Sequence, residues 1–461
     1  MNPITIPNIT IPVIGLPTIG IPSVGFPSAS GGGLVWPAGM KEHIKAIYDP
    51  KKQGMTNFDV IESYADDFTK WRIENTGVTS TQKKIVIAAG TELKYNVAYK
   101  GFGNSIAEFD IKYTGNAVIR YQYNKEDGTT GIITINRSGI YHLPASIKAQ
   151  KNFGFYCNPQ TVTEETTIEQ LPTSILKDLS GNGNHAYLYG GKGKLNSGMG
   201  LYKVDFTSYR KSSVQTEVKP DVVKVTPNTS TSNYLFVQYG TTEIPSYKIK
   251  VIGLGDNVLT YQYATENSRK EINIVEGENE LPTSIKISAE YQVGYKLTTP
   301  GTSVFTITQI PDHPDQLCYD GKMYAVCYGF PILTDYTVMA ERTWFEIGDN
   351  SCFASKRIEA NKGAFAIEYR KLYAENFGSY NTITFVANKK EIIVQSKEKY
   401  NDKDLIAGNE IDTNQLLIGG ISLNNNRLNE PYIGCHGTII VADRSFTEEE
   451  INWLKDNWKK I

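Results

Sequence analysis

Val118-Ile119-Arg120-Tyr121-Gln122-Tyr123 returns 140 residues later as Val258-Leu259-Thr260-Tyr261-Gln262-Tyr263. Three further segments do the same. Asp67-Phe68-Thr69-Lys70-Trp71 recurs as Asp205-Phe206-Thr207-Ser208-Tyr209, and Leu143-Pro144-Ala145-Ser146-Ile147-Lys148 as Leu281-Pro282-Thr283-Ser284-Ile285-Lys286. Ile168-Glu169-Gln170-Leu171-Pro172 recurs as Ile307-Thr308-Gln309-Ile310-Pro311, with order kept and offsets between 138 and 140. Matches in register mark a duplicated module of about 105 residues. Each copy alternates apolar and polar positions between turn signals. Glu108-Phe109-Asp110-Ile111-Lys112-Tyr113 ends in Thr114-Gly115-Asn116, and Tyr247-Lys248-Ile249-Lys250-Val251-Ile252 ends in Gly253. A period of two turns alternate side chains to one face, and several short strands so spaced predict a sandwich. Two β-sandwich modules are expected, at 66–172 and 204–311. Their aligned segments hold no catalytic constellation, since Glu280 stands where the first copy has His142.

The pieces 34–65, 173–203 and 312–461 do not resemble the copies. The first two are too small to fold alone, so the three are expected to combine into one further sandwich, split by the modules. The middle piece holds Lys177-Asp178-Leu179-Ser180-Gly181-Asn182-Gly183-Asn184-His185-Ala186, whose Asn-Gly pairing suits tight turns with positive φ. The long piece adds strand-like runs such as Tyr336–Ala340, Thr382–Val386, Glu391–Val394 and Gly437–Val441. It closes on a predicted helix. Thr447 and Glu450 form a capping box, Phe446 and Ile451 a hydrophobic staple, and Lys455, Lys459 and Lys460 suit the C-terminal end of the helix dipole.

Composition agrees with an all-β class. The 29 tyrosines and 40 glycines, with abundant Thr, Ile and Val, favour strands, and long helical periodicity is nearly absent. A net charge of −2 implies no basic surface and no nucleic-acid partner. The five cysteines, Cys157, Cys318, Cys327, Cys352 and Cys435, contain no Cys-x-x-Cys pair, so they read as reduced core residues rather than a zinc site or disulfide framework.

Met1 to Met40 contain no Asp, Glu, Lys or Arg, and Pro7, Pro12, Pro17, Pro22 and Pro27 recur every fifth position. Such spacing breaks any helix, excludes a membrane-spanning one and fits a secretory signal poorly. Residues 1–33 read as an extended arm that docks on a partner through Ile6, Ile11, Ile14, Leu16, Ile19, Ile21, Val24 and Phe26. The competing reading is a low-complexity linker. Ser28 to Gly33 is a flexible joint by composition.

The Asp178–Ala186 turn, Cys318-Tyr319-Asp320-Gly321-Lys322-Met323-Tyr324 and Asp443-Arg444-Ser445-Phe446-Thr447-Glu448-Glu449-Glu450-Ile451 carry a resemblance. They are similar to concanavalin A-like, laminin-G-type jelly rolls. The wording of Asp-Phe-Thr-x-Trp, of Pro245 to Lys250 and of Phe330 to Val338 resembles virion proteins of tailed phages of gut Bacteroides, including crAss-like phages. The resemblance covers roughly residues 40–461. It implies a jelly-roll sandwich interrupted by the two modules, and a head fibre or capsid decoration protein on the virion surface. Capsid or other virion proteins would be the partners of residues 1–33, with a homotrimer favoured. The alternatives are a tail fibre or receptor-binding protein, or a bacterial surface lectin.

No paired-carboxylate strand motif for glycoside hydrolysis appears, nor a Gly-x-Ser-x-Gly elbow, a P-loop or a His-Glu-x-x-His motif, so no enzyme is expected. Laminin-G-like domains often hold calcium at one rim, where Asp178, Asn182 and Asp320 could offer oxygens. The competing reading makes them caps of tight turns. Glycan binding would use aromatic faces, and Tyr189, Tyr328, Trp344 and Tyr373 are the candidates. Each residue alone fits cross-strand packing equally well.

Overall fold

The computed structural model describes residues 34–193, 196–211, 215–227, 234–239, 242–266, 268–287, 290–333, 335–346, 351–359, 362–368, 372–373, 384–386, 391–395, 414–424 and 427–461. The chain is all-β with a short C-terminal helix, Glu448–Asn457. Three cores separate along it.

The outer frame is a sandwich of two seven-stranded sheets. In the first, Ile433–Ala442 is central: Thr337–Trp344 pairs along one side, while Leu317–Asp320 and Ile44–Tyr48 share the other. Gly198–Met199 closes that side as an edge strand beyond Leu317–Asp320. The second sheet runs Ile175–Leu176, Ala186–Tyr189, Tyr324–Tyr328, Gln415–Ile418, Cys352–Glu359, Lys362–Glu368 and Leu372–Tyr373. Alternation assigns the faces. Val338, Ala340, Ile439 and Val441 from the first sheet meet Leu188, Ala325, Cys327 and Ile418 from the second in one core. All five cysteines are buried, and none is joined in a disulfide.

Both outer faces of this sandwich are covered, by different parts of the chain. On the first sheet Met339, Ile440 and Ala442 pack under the C-terminal helix with Met40, Ile44, Ile451 and Leu454. Thr447 Oγ1 accepts from Glu450 N at 3.3 Å and Thr447 N donates to Glu450 Oε2 at 2.9 Å, which completes the capping box. Phe446 and Ile451 share this cluster. Arg444 grips the Glu450 carboxylate with both terminal nitrogens, at 2.8 and 2.5 Å. Trp36 stacks obliquely on Trp453 at 4.7 Å, which fixes the root of the arm to the helix.

Each insert enters and leaves the frame through one hydrogen-bonded pinch. Thr173 N donates to Ser63 O at 2.8 Å around the first, and Asp312 N donates to Leu201 O at 3.0 Å around the second. The first module packs a sheet of Val78–Ser80, Lys84–Ile87, Thr166–Gln170, Phe109–Thr114 and Gly139–Leu143 on a sheet of Asn96–Lys100, Phe153–Cys157, Ile119–Asn124 and Thr130–Ile135. The second repeats the order: Gln215–Val218, Val222–Thr226, Phe305–Ile310, Tyr247–Ile252 and Gly277–Leu281 on Arg210–Lys211, Tyr234–Tyr239, Gln292–Thr299, Val258–Thr265 and Ser268–Ile274. The short motifs that repeat in sequence repeat as hydrogen bonds. Asp67 Oδ1 and Asp205 Oδ1 cap Thr69 N and Thr207 N, each at 3.0 Å. Ser146 Oγ accepts from Asn124 N at 3.0 Å, and Ser284 Oγ from Ala264 N at 2.9 Å. Buried Gln170 donates to Asp66 O and Gln309 to Val204 O, both at 2.8 Å, and each amide oxygen accepts a backbone N–H from the same segment.

Candidate functional site

Ala186–Tyr189 sends Ala186 and Leu188 into the sandwich core and Tyr187 and Tyr189 to the outer face, beside Tyr324, Val326 and Tyr328. Tyr189 stacks on Tyr324 with ring centroids 5.0 Å apart and planes 10° from parallel. The Tyr189 and Tyr328 hydroxyls lie 3.1 Å apart, within hydrogen-bond reach. The first module closes over them. Tyr187 donates its hydroxyl to Asp110 Oδ2 at 2.8 Å, and the Lys112 ammonium sits 5.1 Å from the centre of the Tyr328 ring. Ile140 and Leu171 of that module join the same apolar cluster. Burial pushes the Tyr328 phenol up to about 12 and those of Tyr187 and Tyr189 higher.

This placement corrects the glycan reading for Tyr189, which is only 8% exposed and stacked on Tyr324, while Tyr328 is half-buried with the Lys112 ammonium over its ring. A buried tyrosine with a partnered hydroxyl serves an interdomain contact as well as a lectin site, and here it serves the contact. Trp344 is half-buried. It meets Tyr432 edge-on at 4.6 Å, with the Arg342 guanidinium 5.4 Å from its ring, at the margin of the sandwich core. Tyr373 belongs to strand Leu372–Tyr373, but its side chain lies outside the described residues, as do the eight arm residues from Ile6 to Phe26.

The two calcium candidates are turn caps. Asp178 Oδ1 accepts from Ile47 N at 3.0 Å and Ser180 N at 2.9 Å, while Oδ2 accepts from Asn184 N at 3.0 Å and Ser180 Oγ at 2.9 Å. Four donors fill the lone pairs a cation would need. Asn182 donates to Ile44 O at 2.8 Å, and His185 Nδ1 accepts from Asp178 N at 3.0 Å. Gly181 and Gly183, at φ 91° and 76°, allow the turn to fold back on its own aspartate. Asp320 Oδ1 accepts from Lys322 N and Met323 N, both at 2.9 Å. The filled carboxylate of Asp178 does not fit calcium, and no group of three or more His, Cys, Asp or Glu among the described residues could hold a metal ion.

Cys318 and Cys435 face each other in register on neighbouring strands. Burial raises the Cys318 thiol, while its hydrogen bond to Cys435 lowers the Cys435 thiol. Both side chains are wholly buried, which leaves no approach for a substrate.

An open concavity lies elsewhere. A cleft of about 430 Å³ separates the jelly roll from the root of the second module, lined by Met55, Phe58, Ile61 and Met199 on one side and Tyr202, Pro220 and Pro311 on the other. Two short helices precede and form this side: Pro50–Gln53 leads into Met55, and Asn57–Val60 contributes Asn57 and Phe58 to the wall. The Thr56 hydroxyl caps the second by accepting from Phe58 N at 3.3 Å, and Asn57 Oδ1 ties it to the edge strand by accepting from Met199 N at 2.7 Å. Lys219 lies 5.2 Å from the centre of the Phe58 ring and bridges the walls. The Lys51–Asp315 ion pair, at 2.8 Å, ties the helix before Phe58 to a residue on the cleft's other wall. The sequence reading missed this site. Its available signal is the proline spacing at the module boundary, with Pro220 on one segment and Pro311 and Pro314 on another.

No family model matches the chain, and no curated protein matches it. Among solved structures it is similar to the Lactobacillus farciminis oxalate decarboxylase formate complex, at 8% identity over 55% of this chain and 88% of that one, TM-score 0.13. It is also similar to hazelnut (Corylus avellana) vicilin, at 6% identity over 57% and 86%, TM-score 0.15. A third likeness is to the CBM22 tandem domain of Paenibacillus barcinonensis Xyn10C, at 10% identity over 55% and 96%, TM-score 0.15. At these scores the likenesses carry no functional argument.

Proposed function

We propose that the chain is a structural virion protein, a head fibre or capsid decoration protein of a tailed phage, held by residues 1–33 and carrying its sandwiches outward. The two-sided build of the jelly roll is the observation that supports this reading most. Trp36 and Met40, where the arm joins the body, pack with the C-terminal helix on the outer face of one sheet. The first module packs on the outer face of the opposite sheet. An arm rooted on one face leaves the far side for display. The uncharged, isoleucine-rich composition of the arm suits burial against a protein surface, since left in water it would be an association hazard.

Deleting residues 1–33 tests the proposal. Incorporation into particles is expected to fall by at least about tenfold, the effect of about 1.4 kcal/mol of lost contact, while the thermal transition of the body stays in place. Unchanged incorporation overturns it. The homotrimer implied by the resemblance is read separately, from the mass of the purified chain by light scattering.

A further inference from the structure

We infer that the cleft beside the second module is a berth for the chain's own arm, taking the segment from Pro17 to Phe26. This goes beyond the anchoring proposal and does not depend on it. The chemistry of the walls comes first. Phe58 is 68% exposed and Ile61 39%, although both sit beside buried Met55 and Met199. Pro220, Pro311 and Pro314 supply rigid apolar ridges facing these side chains. Aromatic and proline surfaces of this kind accept extended, proline-spaced segments, which lose little conformational freedom on docking. The charged groups near the walls are two lysines and two aspartates, Lys192, Lys219, Asp221 and Asp315, so the cleft has no net charge to select an ionic ligand.

An occupant of matching chemistry belongs to the same chain. Residues 17–26, Pro-Thr-Ile-Gly-Ile-Pro-Ser-Val-Gly-Phe, are uncharged, with apolar side chains between prolines. Reach permits docking within one molecule. Trp36 is fixed on the outer face of the sheet whose edge strand, Gly198–Met199, brings Met199 into the cleft. From the central strand Ile433–Ala442 to that edge is two strand steps, about 10 Å across. Ten residues separate Phe26 from Trp36, and extended they span up to about 33 Å. A berth of this kind would cover part of the arm until a partner surface takes it.

The test uses the full chain with Phe26→p-benzoylphenylalanine, irradiated in dilute solution and digested for mass spectrometry. The expected adduct joins the arm to peptides holding Met55, Phe58 or Met199, in material of single-chain mass. Adding Phe58→Asp is expected to lower its yield about tenfold. Phe58 is largely exposed, so this change should leave the thermal transition in place. Adducts found only in two-chain material would assign the cleft to a neighbour's arm and overturn the proposal. Adducts to other surfaces, no adduct, or a yield unaffected by Phe58→Asp would overturn it too. The readout needs no particles, so it can fail while the anchoring proposal stands, and the reverse.

Discussion

The two modules share a skeleton and differ in what surrounds it. In both, an aspartate caps the first turn, a serine hydroxyl receives a strand N–H and a buried glutamine clamps the chain where it enters. The cores then diverge. Phe109 and Phe155 of the first become Tyr247 and Tyr295 in the second, whose hydroxyls pair at 2.9 Å. The outward face of one hairpin diverges further. Asp110, Lys112 and Ile140 lie against the jelly-roll tyrosines, whereas their counterparts Lys248, Lys250 and Glu278 are exposed. There Lys248 stands opposite Glu280 and Lys250 opposite Glu278, so opposite charges face each other across the strands. Position along the strand is thus held by the interior, while the outer face is free to become an interface or a solvated surface.

The largest expected effect tests the shared skeleton. Gln170→Ala and Gln309→Ala each leave buried backbone groups without partners, and each should cost about 3 kcal/mol in its own module. Amide exchange should report the loss in that module alone, and a loss in only one of the two variants would break the equivalence.

Acid should act outside both modules. His436 is buried in the frame, with Nε2 3.0 Å from the Tyr319 hydroxyl and Nδ1 2.8 Å from Gly437 O. Burial lowers its pKa from 6.5 to about 4. The unfolded chain therefore binds this proton at higher pH than the folded one. Stability is full above pH 6.5 and falls towards pH 4, by up to about 3 kcal/mol. Denaturant titrations should show this slope flattened in His436→Gln, and an unchanged slope would assign the acid sensitivity elsewhere.

A smaller effect sharpens the difference between the cores. Tyr247→Phe removes the hydroxyl that lies 2.9 Å from that of Tyr295 and should cost about 1–2 kcal/mol, while Tyr247→Phe with Tyr295→Phe, which copies the first module at both positions, should recover most of it. Failure of the double change to recover stability would mean that the two cores differ in more than the hydroxyl pair.

The smallest effect concerns the outer face. Tyr187→Phe removes one hydrogen bond to Asp110 and should cost about 1 kcal/mol, with faster amide exchange in Phe109–Thr114. Lys248→Ala at the exposed counterpart should stay within about 0.5 kcal/mol. Equal costs would contradict the assignment of one face as docked and the other as free.

The all-β class was legible because strand alternation is a local pattern, and the capped C-terminal helix because Phe446, Thr447, Glu450 and Ile451 lie within six consecutive residues. The glutamine clamps were half visible: Gln170 and Gln309 recur together among apolar neighbours, but their partners lie 104 and 105 residues away. The tyrosine face was not legible. Tyr187-Leu188-Tyr189 alternates like a strand with one solvated side, and only Asp110, 77 residues away, shows that side to be covered. For the same reason Asp178 reads as a metal ligand or as a cap until Ile47 N, across 131 residues, occupies it.

The pinches at Ser63–Thr173 and Leu201–Asp312 have a mechanical meaning. Each insert leaves and rejoins the frame at adjoining residues, so its contour length lies in a side loop. Tension applied through the arm passes from Trp36 and Trp453 into Ile44–Tyr48 and its partner Ile433–Ala442, and the two modules hang beside the line of force.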